Sequence, residues 1–202
     1  ADAAAILLIW VLSATAAIGL IDAIKKGGTD PDAQLNSMGL DRSGVSDPHG
    51  FIASAAFARL LEAGARATTD DCFGLHLGEH YQPRNVGPLA YVVLNSPTFE
   101  AAIANIGRYL HVLNGAAHVS LTIDGPRAYI RHDLVGLGSE AFRQQHEYGL
   151  AVVFNTIRLM AGSQWAPAEV QFARTAPRDV SEYTRVFCAP VVFGCQANAL
   201  VV

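Results

Sequence analysis

At 202 residues the chain makes one or at most two domains, long enough to bury a sizeable core. With 51% hydrophobic and 16% charged residues it cannot be a disordered segment, and so many small apolar residues point to much hidden surface, subunit contacts included. A net charge of −4 argues against gripping a phosphate backbone, which needs clustered Lys and Arg.

Ala3 to Ile21 carries no charge and is long enough to cross a membrane. Its glycine and threonine breaks, small side chains and lack of a preceding basic residue argue against a span or an export signal. The stretch reads instead as a buried strand, Ile6 to Val11, and a helix from about Ser13 to Lys26. Gly27-Gly28 closes that helix. Asp30-Pro31-Asp32 opens the next with a capping carboxylate, a proline suited to the first turn and a negative charge at the positive end; it stops at Gly39. Asp41 to Gly50 is a polar turn region. From Phe51 to Ala67 the residues Phe57, Leu60, Leu61 and Gly64 share one helical face.

Ser96-Pro97 is a second cap-and-proline start. Behind it Phe99, Ala102, Ile103, Ile106, Leu110 and Leu113 keep helical spacing up to Asn114-Gly115. The period then changes to two: Val119, Leu121 and Ile123 alternate with polar residues, Asp124-Gly125 turns the chain, and Ala128 to His132 returns. Ser139 caps a long helix whose buried face holds Phe142, His146, Gly149, Leu150, Val153, Ile157 and Met160, which leaves Tyr148 and Asn155 for solvent or an interface. Glu169 to Ala173 alternates as a strand, Asp179 to Phe187 forms a short helix, and Val191 to Phe193 runs extended after Pro190. The apolar end, Ala199 to Val202, reads as a boundary within a longer protein. This order predicts an α+β fold with helices packed on a mainly antiparallel sheet. The alternative, a cupin-like β-barrel, needs a run of many short strands that the sequence lacks.

His76-Leu-Gly-Glu79-His80 matches the spacing of inverted zincins: two imidazoles at i and i+4 to hold zinc and a carboxylate as base. Gly78 inside the helix, proline soon after it and the lack of a marked third ligand favour no metal, so no metal or other cofactor is expected. Asp70-Asp71 sits where a helix start favours negative charge. No nucleophile elbow or phosphate loop is present, and no catalytic residue is assigned. Cys72, Cys188 and Cys195 lack a Cys-x-x-Cys pair and read as free thiols in a reducing cytoplasm, although Cys188 and Cys195 could meet around Pro190.

The block from Gly74 to Tyr109, with Phe73-Gly-Leu-x-Leu-Gly78, Gly87-Pro-Leu-Ala-Tyr91 and Ser96-Pro-Thr-Phe-Glu-Ala-Ala102, resembles the N-terminal sensing domain of AraC/XylS-family transcription regulators, of the arabinose-binding type. Gly28 to Leu35, Phe51 to Leu61, Val170 to Ala173 and Tyr183 to Gly194 extend the resemblance over nearly the whole chain. It implies that residues 1–202 form a single sensing and dimerisation domain, with the helix-turn-helix DNA-binding domain of such regulators absent from this chain. It also implies a small-molecule effector, a homodimer, DNA contact only through that missing domain, no membrane association and a cytoplasmic location. A zinc-dependent hydrolase using His76, Glu79 and His80, and a dimerisation module without a ligand, are the alternatives.

The effector is expected between the long helix and the sheet, where a helix crossing strands leaves an apolar cleft that needs a few polar groups. His146 offers one from the helix; Arg131 or His132, on opposite faces of their strand, offers another; Tyr109 or His111 stands at the rim. An arginine there would favour a carboxylate-bearing metabolite through a forked pair.

Overall fold

The computed structural model describes residues 11–47, 49–82, 85, 87–136 and 141–202. Most of the expected strand Ile6 to Val11 lies outside these residues, as does Ser139 as a helix cap. Strand β1 (Val11–Ser13) pairs antiparallel with β2 (Phe51–Ala53). This corrects the expected helix start at Phe51: Phe51 and Ala53 are exposed while Ile52 is buried, the period of a strand, and α4 (Ser54–Thr68) begins only afterwards.

The single helix expected from Ser13 to Lys26 is also divided. A 3-10 turn, Ala14–Ala17, is capped by the Ser13 hydroxyl, and α1 (Leu20–Lys26) follows Gly19, whose φ of 85° breaks the helical path. Helix α2 (Pro31–Ser37) starts as its residues dictate, with the Asp30 carboxylate accepting from the Asp32 amide and Pro31 in the first turn. Within the expected polar turn, Asp41 caps a short α3 (Arg42–Ser46).

Helices α5 (Phe73–His80), α6 (Pro88–Leu94) and α7 (Phe99–Tyr109) follow. The cap of α7 is Thr98, which accepts from the Ala101 amide; Ser96 instead donates to the Val92 carbonyl at the end of α6. Helix α7 ends at Tyr109 and tightens into a 3-10 turn, Leu110–Val112, several residues before Asn114.

The principal sheet runs β3-β4-β7-β5-β6, comprising β3 (Ala117–Asp124), β4 (Arg127–Leu134), β5 (Glu169–Phe172), β6 (Val191–Phe193) and β7 (Ala199–Val201). The β3–β4 ladder extends to Asp124↔Arg127, which moves the turn to Gly125-Pro126. All neighbours are antiparallel except β5 and β6, which are joined through α9 (Ser181–Phe187), the crossover that parallel strands require. The sheet is open, so the cupin-like barrel is ruled out. The apolar segment Ala199–Val201 lies between β4 and β5 with all three residues buried, as a central strand demands.

The long helix α8 (Arg143–Ala161) organises the core. One side packs on the sheet and the other on α4 and α5, so its first half is buried almost all round, Tyr148 included. The assignment of Tyr148 to solvent or an interface is thus overturned: its hydroxyl donates to the Ala16 carbonyl at 2.9 Å. Asn155 likewise works inward, donating to the carbonyls of Gly78 and Glu79. Helix α5 comes unusually close to α8 because Gly74 and Gly78 face it. A Cβ at Gly74 would stand 2.0 Å from the Gln144 carbonyl oxygen, and one at Gly78 2.7 Å from that of Tyr148. Phe154, Phe172, Tyr183, Phe187 and Phe193 form an aromatic cluster between α8, α9 and the sheet, with centroids 5.3 to 6.1 Å apart in edge-on, tilted or stacked pairs. Among the described residues no helix is long and apolar enough to cross a membrane.

Candidate functional site

Strand alternation decides which side chains of β4 face α8. His132 and Leu134 turn toward the helix, and Arg131, half-buried, lies on the opposite face. The His132 ring lies against the backbone of Gly149: a Cβ there would meet the ring at 2.2 Å, so glycine is what allows helix and strand to approach with an imidazole between them. Beside this contact is a cavity of about 70 Å³. Gln145, Tyr148, Gly149 and Val153 of α8 form one wall, His132 and Leu134 another. Leu12, Ser13, Thr15, Ala16 and the 3-10 turn at Leu110 help to complete it.

Of the residues expected at an effector site, His132 alone lines this cavity. Burial, with the neighbouring His146 and His118 adding to it, pulls its pKa down to about 3, so the ring is neutral. His146 is buried on the same helix but outside the lining; its Nδ1 accepts from the Asn198 side chain at 3.0 Å, whose oxygen accepts from the Ala173 amide. Tyr109 and His111 stand on the outer surface, although their neighbours Leu110 and Leu113 reach the cavity. Arg131 is turned away, which removes the basis for expecting a carboxylate. Gln145, Tyr148, Asn114 and Tyr81 line the site and were not anticipated. The stripe Gln145, Gly149, Val152 at i, i+4 and i+7 was the available signal.

A second polar centre lies elsewhere on α8. Glu147, fully buried, accepts from Arg174 at 2.7 Å and from the Tyr183 hydroxyl at 2.8 Å, and Arg174 also donates to Tyr183. Burial raises the Glu147 carboxyl to about 7, against the pull of Arg174 and Tyr183. Arg174 further lies over the Tyr183 and Phe193 rings. This network ties α8 to α9 and the end of β5.

The zincin-like triplet is committed to other partners. His76 Nδ1 lies 2.8 Å from Asp70 and Nε2 3.0 Å from Glu182. The Asp70 hydrogen bond, with Glu182 behind it, outweighs burial and raises the pKa to about 9. The ring is therefore an imidazolium, and a zinc ligand must be neutral. Glu79 forms a forked pair with Arg185 at 2.7 and 2.8 Å, and His80 Nδ1 bonds the His76 carbonyl. No group of three or more metal-ligating side chains converges among the described residues. The three cysteines are free thiols. A more open groove of about 580 Å³ runs between α1 and α5, with Asp22, Lys26, His76 and His80 along it.

Comparison with known proteins agrees with this architecture. Residues 28–202 match the family described as the arabinose-binding domain of AraC transcription regulator, N-term. The HTH-type transcriptional regulator VirS of Mycobacterium tuberculosis is 26% identical over 186 residues, covering 91% of this chain and 55% of VirS. The ornithine utilization regulator of Pseudomonas aeruginosa is 24% identical over 169 residues, covering 83% of this chain and 50% of that protein. This chain thus spans about half the length of these relatives. The crystal structure of the transcriptional regulator CdpR from Pseudomonas aeruginosa superposes with a TM-score of 0.54 at 18% identity, over 64% of this chain and 42% of that one, a likeness of fold. The chain belongs to the arabinose-binding-domain family found at the N-terminus of AraC-type transcription regulators.

Proposed function

We propose that this chain is the effector-binding regulatory domain of a cytoplasmic DNA-binding transcription regulator, that it binds a small metabolite in the cavity between α8 and β4, and that it has no catalytic role. The observation that carries the reading is the family match over residues 28–202 on a fold that holds an apolar, polar-anchored cavity at its centre. The acidic balance supports leaving DNA contact to a separate helix-turn-helix domain. The site also has a short route outward. The His132 amide donates to the Asn198 carbonyl at 3.0 Å, and Asn198 leads directly into β7 beside β4. An effector that moves His132 would bias β7 and whatever follows it, the coupling between two sites that allostery requires.

Reading the coding sequence beyond Val202 tests the proposal. A helix-turn-helix region within the next hundred or so codons is expected, and a stop codon soon after Val202 would contradict it. The homodimer belongs to the same proposal; sedimentation velocity is expected to show a species of twice the 21.4 kDa chain mass, and a monomer at every concentration would remove it.

A further inference from the structure

We propose that the cavity between α8 and β4 selects an uncharged ligand, holding the amide or hydroxyl end of a small, mostly apolar molecule; this rests on the effector-binding reading and specifies its ligand class. Among the described residues, none that lines the cavity is Asp, Glu, Lys or Arg. Its walls are largely aliphatic, Leu12, Leu113, Leu134 and Val153 among them, and its polar groups, which include Gln145, Asn114, Tyr148 and the His132 imidazole, are neutral. A carboxylate or ammonium placed there loses its hydration and gains no counter-charge.

Two polar atoms on this wall lack partners. Gln145 Oε1 and His132 Nδ1 are buried and form no hydrogen bond within the protein, whereas the adjacent Tyr148 hydroxyl is satisfied by Ala16. Buried polar atoms are nearly always paired, so two orphans on residues that line one cavity mark anchor points for something that enters it. Gln145 Oε1 can only accept, so the ligand donates to it. His132 Nδ1 accepts or donates according to its tautomer. A primary amide satisfies both, with its N–H₂ on Gln145 and its carbonyl on a protonated Nδ1.

Size restricts the ligand further. The volume of about 70 Å³ is less than half of the roughly 150 Å³ cavity that accepts benzene. A short aliphatic chain with one polar end is the scale that enters without rearrangement. A longer one displaces the 3-10 turns at Ala14–Ala17 and Leu110–Val112, whose hydrogen bonding is weaker than that of an α-helix.

The test titrates the ¹⁵N-labelled chain with propionamide and with propionate, which share shape and differ in charge, reading the amide resonances of His132, Gln145 and Gly149. Saturable millimolar shifts with propionamide are expected, with propionate about tenfold weaker or worse because of its desolvation. Gln145→Leu is expected to weaken propionamide about fivefold, the worth of one hydrogen bond. Equal binding of both probes, or no response at these three residues, overturns the inference; should Gln145→Leu fail to fold, the comparison on the native chain decides. A metabolite that stabilises the chain equally with and without Gln145→Leu overturns this site, leaves effector binding standing and directs attention to the groove between α1 and α5. If no metabolite in a broad panel stabilises the chain, the effector reading itself falls.

Discussion

His76 shows how a side chain that looks catalytic can be structural. Its two carboxylate partners come from the loop before α5 and from α9, so the imidazolium joins two elements. Its pKa rises from 6.5 unfolded to about 9 folded, so its stabilisation is complete below pH 6.5 and is lost as pH climbs to 9. The site is partly exposed, and screening reduces its worth to about 1 kcal/mol. His76→Asn should therefore cost about that much at pH 6 and nothing measurable above pH 9, as urea unfolding at both pH values would show; a loss independent of pH would deny the charge its role. The Glu147–Arg174 pair makes a sharper prediction. Glu147→Gln leaves the buried Arg174 guanidinium, which cannot shed its proton, without a counter-charge and should cost about 3–5 kcal/mol, whereas Arg174→Met leaves a carboxyl already raised to about 7, which can take up a proton, and should cost less, roughly 1–3 kcal/mol. Equal losses in denaturant titrations would contradict this order. Neither centre was legible beforehand, because partners such as Asp70 and Glu182, or Glu147 and Arg174, are distant in sequence. Alternation along β4 showed that Arg131 and His132 take opposite faces, but which of them turns toward α8 depends on packing partners distant in sequence. Gln145 was missed because the buried face of the long helix was expected to be apolar, and a buried polar side chain breaks that pattern.

At the level of elements, local chemistry was the most readable layer. The Asp30-Pro31 start of α2, the change of period into the β3–β4 hairpin and the Val170–Phe172 face of β5 all follow from residues adjacent in sequence. What failed depended on distant partners. Phe51–Ala53 is a strand because β1 lies beside it, and Tyr148 is buried because α4 and α5 cover the side of α8 away from the sheet. The Gly74-Leu-His-Leu-Gly78 segment owes its glycines to that same contact with α8. Gly74→Ala places a methyl against the Gln144 carbonyl, a backbone atom that cannot turn aside. Separating two packed helices should cost about 1–3 kcal/mol or more. Thermal unfolding would measure it, and a neutral Gly74→Ala would show that α5 and α8 are less tightly joined than described.

Over the whole molecule, the aromatic cluster and the cavity divide α8 between them. The Phe154 end is densely packed, while the Gln145 end retains space against β4. Rigid packing at one end and room at the other would suit the proposed sensor, in which a ligand shifts a helix against a sheet. The fold class and family were readable from the sequence as a whole, because spaced glycines, helix starts and aromatic positions each answer to a local requirement. The most direct test is thermal denaturation of the chain across a panel of uncharged and charged small metabolites. A ligand that binds only the folded state, present at about a hundredfold excess over its Kd, stabilises by about 2.7 kcal/mol. For a domain of this length that amounts to a rise in Tm of roughly 5–10 °C. The account predicts such a rise for at least one neutral compound; a Tm unmoved by every compound in the panel would contradict it.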